Sequence, residues 1–226
     1  MKNTLLAAIT LAALAQTAAF AAESAMSSHS HDGVKADKPN IIFILADDLR
    51  ADCIGSVNPL IHTPNIDRLA KRGVRFSNCY LAGANGPGVC QPSRTQIMSG
   101  CSPFRLPVDN AANDGGKPSV PVMSTVFRAA GYDTFYCGKQ GNTYYRANTA
   151  FDRRLFINGS SGVRPDTDGK HVTRYRQFVD PVVAYLGESA RAAKPFFLFY
   201  TPPTPHDPLY CEPDCLKLYQ GNSRPP

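Results

Sequence analysis

The sequence predicts an α/β fold, a doubly wound and mostly parallel sheet flanked by helices. Two uninterrupted apolar runs, IIFILA at 41–46 and PFFLFYT at 195–201, have the composition of strands buried on both faces. Helical segments alternate with strand-like ones, the pattern of crossover units in a parallel sheet. Polar residues with chemical capability follow the strands, at the end where open α/β sheets gather their ligands.

The 226 residues, 43% of them hydrophobic, suffice for one domain with a substantial core. Residues 1–21 carry an early charge at Lys2, an apolar run from Leu5 to Ala15 and the small-residue pattern Ala19-Phe20-Ala21. They read as a secretory signal peptide cleaved after Ala21. Residues 22–38 are polar and aperiodic, a flexible leader in which His29 and His31 belong to a solvated tail. Residues 39–226 read as the folded domain. Its first strand, 41–46, ends abruptly at Asp47 and Asp48. A helix follows in HTPNIDRLAKRG: Thr63 in the cap position, Pro64 and Asp67 in the first turn, Lys71 and Arg72 in the last, Gly73 as terminator. VRFSNCYLA, 74–82, reads as a second strand. A short helix is expected from about Pro92, and a longer one in VPVMSTVFRAAG, ending at Gly131. YDTFYC, 132–137, is a third strand and runs into GKQGN. Residues 171–193 have helical spacing, with Pro181 expected to kink or divide them. The last strand, 195–201, runs into PPTPHDP.

The net charge of +6 is spread along the chain without a basic run, which argues against a nucleic-acid partner. No apolar stretch after the leader could span a bilayer, so the expected product is exported, periplasmic or extracellular, with no membrane attachment after signal cleavage. Seven cysteines is an odd number for an oxidising compartment. With Cys90 set aside for chemistry, Cys53, Cys79, Cys101, Cys137, Cys211 and Cys215 remain, and spacing does not deduce their pairing. Cys137, in an apolar strand, suits a buried free thiol.

The predicted topology places Asp47 and Asp48 after the first strand, Lys139 after the third and His206 after the last. Cys90 falls in the loop after the second, just before a helix. Read singly, these are a turn carboxylate, a solvated lysine and a loop histidine as readily as functional groups. Read together they describe a rim. Adjacent carboxylates supply hard oxygen ligands for a divalent cation such as calcium. A helix N-terminus, Lys139 and the planar fork of Arg94 suit a tetrahedral anion. The combination fits a phosphate or sulfate ester, and the nucleophile decides between them.

The segment CQPSRTQIMSG resembles the signature of the sulfatase family, Cys-x-Pro-Ser-Arg followed by a short segment ending in Ser/Thr-Gly. KPNIIFILADDLRADCIG, HTPNIDRLAKRGVRFSNCY, FRAAGYDTFYCGKQGN and KPFFLFYTPPTPHDP are similar to the family in the family's order, so that the resemblance covers nearly all of residues 38–208. The resemblance implies an alkaline-phosphatase-like fold and a sulfuric ester hydrolase. It implies that a maturation enzyme oxidises Cys90 to formylglycine, with Cys90, Pro92 and Arg94 as the recognition core. The hydrated aldehyde would attack sulfur, and elimination would release sulfate. Asp47 and Asp48 match two calcium ligands, with the oxygen at position 90 a third. Arg94 matches the residue that holds the diol, Lys139 a sulfate-binding lysine, and His206 a histidine near the leaving-group oxygen. A phosphoryl-transfer relative would carry Ser or Thr where Cys90 stands.

The sequence departs from that pattern in three ways. The usual Gly-Lys-x-His is GKQG here, so Gly141 stands where a histidine is expected. Ending at Pro226, the chain is expected to lack the family's remaining metal ligands and a second active-site lysine, a truncated N-terminal catalytic domain incomplete at its C-terminus. The sheet is expected to keep an unprotected edge. These departures favour, as the alternative, a secreted non-catalytic relative that binds anionic ligands.

Overall fold

The computed structural model describes residues 38–80, 83, 89–106, 116–157, 163–165, 171–173, 175–188, 194–207 and 213–221. The segment expected to be a signal peptide, nearly all of the expected leader, and Cys211 lie outside them. In chain order the elements are β1 (Ile41–Ile44), α1 (Pro64–Arg72), α2 (Cys90–Ser99), a 3₁₀ turn (Pro103–Arg105), α3 (Met123–Ala129), β2 (Asp133–Lys139), α4 (Tyr145–Thr149), β3 (Arg153–Ile157), β4 (Val163–Pro165), β5 (His171–Thr173), α5 (Tyr175–Gly187), β6 (Phe196–Thr201) and α6 (Pro213–Lys217).

Four strands form a parallel sheet in the order β1-β6-β2-β3, with Phe43 opposite Phe199 and Tyr136 opposite the same Phe199. β2 and β6 are central and almost wholly buried, which is why their sequences run apolar without alternation. Alternate residues nevertheless serve different faces. Tyr136, Phe197 and Phe199 pack with Met98 of α2, Val122 beside α3, and Tyr144 and Ala147 in and beside α4. Phe135, Cys137, Phe196 and Leu198 pack on the other face against Val182 and Tyr185 of α5. Helices therefore cover both faces, as the sequence predicts for this class.

Local expectations need correction in several places. Residues 74–80 form no strand: Val74, Phe76 and Tyr80 are 82, 80 and 87% exposed, and no strand among the described residues offers them a ladder. Apolar alternation marks strand potential, but a partner strand is what realises it. The helix expected from Pro92 begins two residues earlier, so Cys90 is its first residue rather than a loop residue. The helix expected to be longer, α3, has 7 residues against 10 in α2. β2 extends through Lys139, which ends the strand rather than following it. The helical stretch 171–193 opens as β5, and α5 runs through Pro181 without division. Sequence reading missed α4, β3 and the antiparallel pair β4–β5, all of 5 residues or fewer, in segments too short for periodicity to register. Among the described strands β1 borders the sheet, and Ile42 and Ile44 are exposed on it. No helix among the described residues is long and apolar enough to cross a membrane.

Candidate active site

The carboxyl ends of β1, β2 and β6 meet the first turn of α2. Two backbone hydrogen bonds sew the loops together: Leu45 N–H donates to Tyr200 O at 2.9 Å and Asp47 N–H to Thr204 O at 3.1 Å. The loop bearing Asp47 and Asp48 is thereby tied to the one bearing His206. Asp48 adopts a positive φ of 60°, a left-handed conformation that aspartate tolerates better than most residues.

Lys139 is anchored by its own strand. The buried Tyr136 hydroxyl donates to Lys139 O and lies 3.0 Å from Thr201 Oγ1. Since the tyrosine has one proton, the threonine hydroxyl donates in return. Burial pushes the Tyr136 hydroxyl pKa up to about 12, so it remains a donor. Between these residues, Gly138 has φ +149°, and a Cβ there would collide with the Thr201 carbonyl oxygen and hydroxyl. β2 and β6 approach each other there as only glycine allows.

Asp47 is the centre of the site. It is 3% exposed, and its two oxygens are divided between cations: Oδ1 accepts from Arg94 Nη2 at 3.0 Å and Oδ2 from Lys139 Nζ at 2.6 Å. Burial alone would raise the Asp47 pKa, but the Lys139 hydrogen bond and the Arg94 charge outweigh it and hold it below the ordinary value. Cys90 Sγ lies 3.4 Å from Asp47 Oδ1, 3.7 Å from Asp48 Oδ1 and 3.9 Å from Lys139 Nζ. Burial first, then the Asp47 charge, push the Cys90 thiol up, and Lys139 offsets them only in part. The site therefore favours the neutral thiol over a thiolate nucleophile. His206 Nε2 lies 3.4 Å from Asp48 Oδ2, while its Nδ1 lies 2.7 Å from Asp207 O.

All six residues singled out from the sequence (Asp47, Asp48, Cys90, Arg94, Lys139 and His206) thus stand within one connected set of contacts. Three of them, Asp48, Cys90 and His206, line a cleft of about 560 Å³ together with Gln91, Pro92 and Asn142. Sequence reading passed over Asn142; its positive φ of 51° turns the chain directly after Gly141 and brings it to the cleft. Gly141 itself is exposed, and a Cβ there would meet nothing within 4 Å.

The donor set fits a hard divalent cation. Ligand atoms of Asp47, Cys90 and His206 lie within 4.8 Å of one another, as do those of Asp48, His206 and Asp207. Three carboxylates among these residues are oxygen donors of the kind calcium takes. Arg94 Nη1 is buried beside them without a hydrogen-bond partner among the described residues, a donor left for a ligand oxygen. The six described cysteines are free thiols, and burial pushes Cys137 up to about 12.

Comparison with known proteins agrees with the resemblance read from the sequence. The family model described as Sulfatase matches residues 39–225. An ulvan-active sulfatase of Formosa agariphila is 33% identical over 180 residues, covering 75% of this chain and 31% of the relative. An N-acetylglucosamine-6-O-sulfatase of Bacteroides thetaiotaomicron is 31% identical over 201 residues, covering 83% of this chain and 34% of the relative. A solved structure of a protein in complex with its substrate D-glucosamine-2-N,6-O-disulfate superposes with a TM-score of 0.63 at 26% identity, covering 83% of this chain and 39% of that one. The chain thus spans about a third of the length of these curated relatives.

Proposed function

The chain belongs to the sulfatase family, and we propose that its rim serves hydrolysis of sulfate monoesters of carbohydrates through formylglycine made from Cys90. The observation that carries this reading is the position of Cys90 at the start of α2, its Sγ within 3.4–3.9 Å of Asp47, Asp48 and Lys139. Relatives named for ulvan and N-acetylglucosamine sulfates support the carbohydrate class.

Formylglycine at position 90 supplies a geminal diol as nucleophile, and a bound calcium ion supplies positive charge against the sulfate oxygens. Asp47, Asp48 and the oxygen at position 90 would hold that ion. Arg94, fixed by Asp47, orients the diol through its unpartnered Nη1. Lys139, pinned by Asp47 and by the Tyr136 bond to its carbonyl, faces the sulfate oxygens with a fixed charge. His206, at the cleft edge beside Asp48, gives a proton to the leaving oxygen. Gly141 leaves elimination of sulfate without the histidine base of the family pattern. The protein is exported by its signal peptide and matured by a formylglycine-generating enzyme.

The test is peptide mass spectrometry of residue 90 after export from a host with the maturation system, with hydrolysis of 4-nitrophenyl sulfate measured beside it. Formylglycine at 90, and activity abolished by Cys90→Ala, are expected. An unmodified thiol in such a host would overturn the proposal and favour the non-catalytic anion-binding reading.

A further inference from the structure

A second cleft, of about 870 Å³, shares no lining residue with the first. It is walled by α3, α4, the start of β3 and the segment 116–121. Lys117, Arg128, Arg146 and Arg154 line it, and none of its described lining residues is acidic. Their positive charges repel one another, and Arg128 and Arg154 have no carboxylate partner among the described residues, an arrangement that an anion relieves.

The cleft is built rather than incidental. Ser124 of α3 donates to Ala147 O of α4 at 2.8 Å, clamping the two walls together. Arg128 Nη1 donates to Ala150 O at 3.1 Å, and Arg154 Nη1 to Thr149 O at 3.0 Å, so both guanidinium groups are held against the backbone that ends α4. In both residues Nη1 alone is engaged, and Nε and Nη2 have no protein partner among the described residues. That free edge is the fork that grips two oxygens of a tetrahedral anion. Arg153, its neighbour in sequence, shows the contrast: it pairs with Glu188 at 2.8 Å.

Between the cations the wall is apolar. Pro118, Val120 and Pro121 line it, together with Tyr145, which is half-buried and stacked on Phe156 at 5.5 Å. Alternating cations and apolar surface match a chain of sugar rings bearing sulfates. A nucleic acid would favour several stacking rings, and the cleft offers one; a membrane surface would want cations projecting outward rather than tied to carbonyls in a recess. Residues 140–144 join the end of β2 at the catalytic rim to α4 in this cleft.

We propose that this cleft is a second anion-binding site that holds a sulfated segment of an oligosaccharide outside the catalytic rim. Its choice of a glycan over other polyanions rests on the carbohydrate reading of the rim; the binding itself does not.

The test is fluorescence anisotropy with a labelled heparin hexasaccharide and the full chain, alongside turnover of 4-nitrophenyl sulfate. Binding is expected to weaken with rising salt and to fall by about tenfold or more in the Arg128→Gln, Arg154→Gln double variant. Turnover of the small ester is expected to be unchanged, and the desulfated hexasaccharide is expected not to bind. Should the double variant fail to fold by circular dichroism, Lys117→Gln carries the test, with a loss of about threefold or more expected. Affinity unaltered by the folded variants overturns the proposal. So does equal affinity for a single-stranded DNA of the same charge, or for inorganic sulfate alone. Intact, variant-sensitive binding by a preparation that turns over no sulfate ester supports the cleft and counts against the rim alone.

Discussion

Asp47 and Lys139, 92 residues apart, meet at 2.6 Å, and the same carboxylate takes Arg94 on its other oxygen at 3.0 Å. One buried anion thereby holds two cations in place beside Cys90. Removing it would leave Arg94, itself 3% exposed, as an uncompensated buried charge. Asp47→Ala is therefore expected to destabilise the fold by about 3–5 kcal/mol. Urea unfolding followed by circular dichroism checks this, and a loss under about 1 kcal/mol would show that Arg94 finds water or another partner.

Asp48 is exposed to the cleft, where it meets His206 at 3.4 Å and the Cys90 thiol at 3.7 Å. Its neutral variant, Asp48→Asn, is expected to fold normally yet bind calcium about tenfold or more weakly, because cation affinity follows the number of charged ligands. Calorimetric titration with calcium chloride measures it. Equal affinity in the two proteins would remove Asp48 from the ligand set.

Tyr136→Phe deletes one hydroxyl and removes a partner from the half-buried Lys139 carbonyl and from the buried Thr201 hydroxyl. A loss of about 1–3 kcal/mol in stability is expected. Turnover should fall as well, since the displaced strand end carries Lys139. Unchanged turnover with reduced stability would confine Tyr136 to a structural role.

Gly141→His restores the residue that the family pattern carries, at a position where a Cβ meets nothing within 4 Å. In a full-length, formylglycine-bearing version, steady-state turnover of 4-nitrophenyl sulfate is expected to rise, by up to the ~10²–10⁴-fold that general-base help supplies. No change would mean that water or another basic group already takes the proton in elimination.

Cys137 is fully buried under α5, and burial pushes its thiol up to about 12. Iodoacetamide at pH 8 is expected to leave it unmodified in the folded protein and to alkylate it after denaturation, while the exposed Cys79 and Cys215 react throughout. Mass spectrometry of the alkylated peptides reads the outcome. Rapid native labelling at Cys137 would indicate local opening between α5 and the sheet.

The sequence by itself determined the class of fold and the composition of the rim. Runs such as FFLFY need no partner information to declare a strand buried on both faces, and strand ends in such sheets collect the chain's chemistry wherever the crossovers run. Asp47, Asp48, Cys90, Arg94, Lys139 and His206 were legible for that reason, and through the signature around Cys90. Tertiary structure decided the rest. Whether 74–80 pairs depends on a neighbouring strand, and none of the described strands offers itself, so Val74 and Phe76 stay exposed. α4 and β3 are too short to show a period and form because Ala147, Phe151 and Phe156 pack against the sheet. Asn142 reaches the cleft through one left-handed residue, which no local pattern announces. The basic cleft gathers Lys117, Arg128, Arg146 and Arg154 from segments that only the packing of α3 on α4 brings together. Charges scattered evenly in the chain became a cluster in space, and only packing decides that.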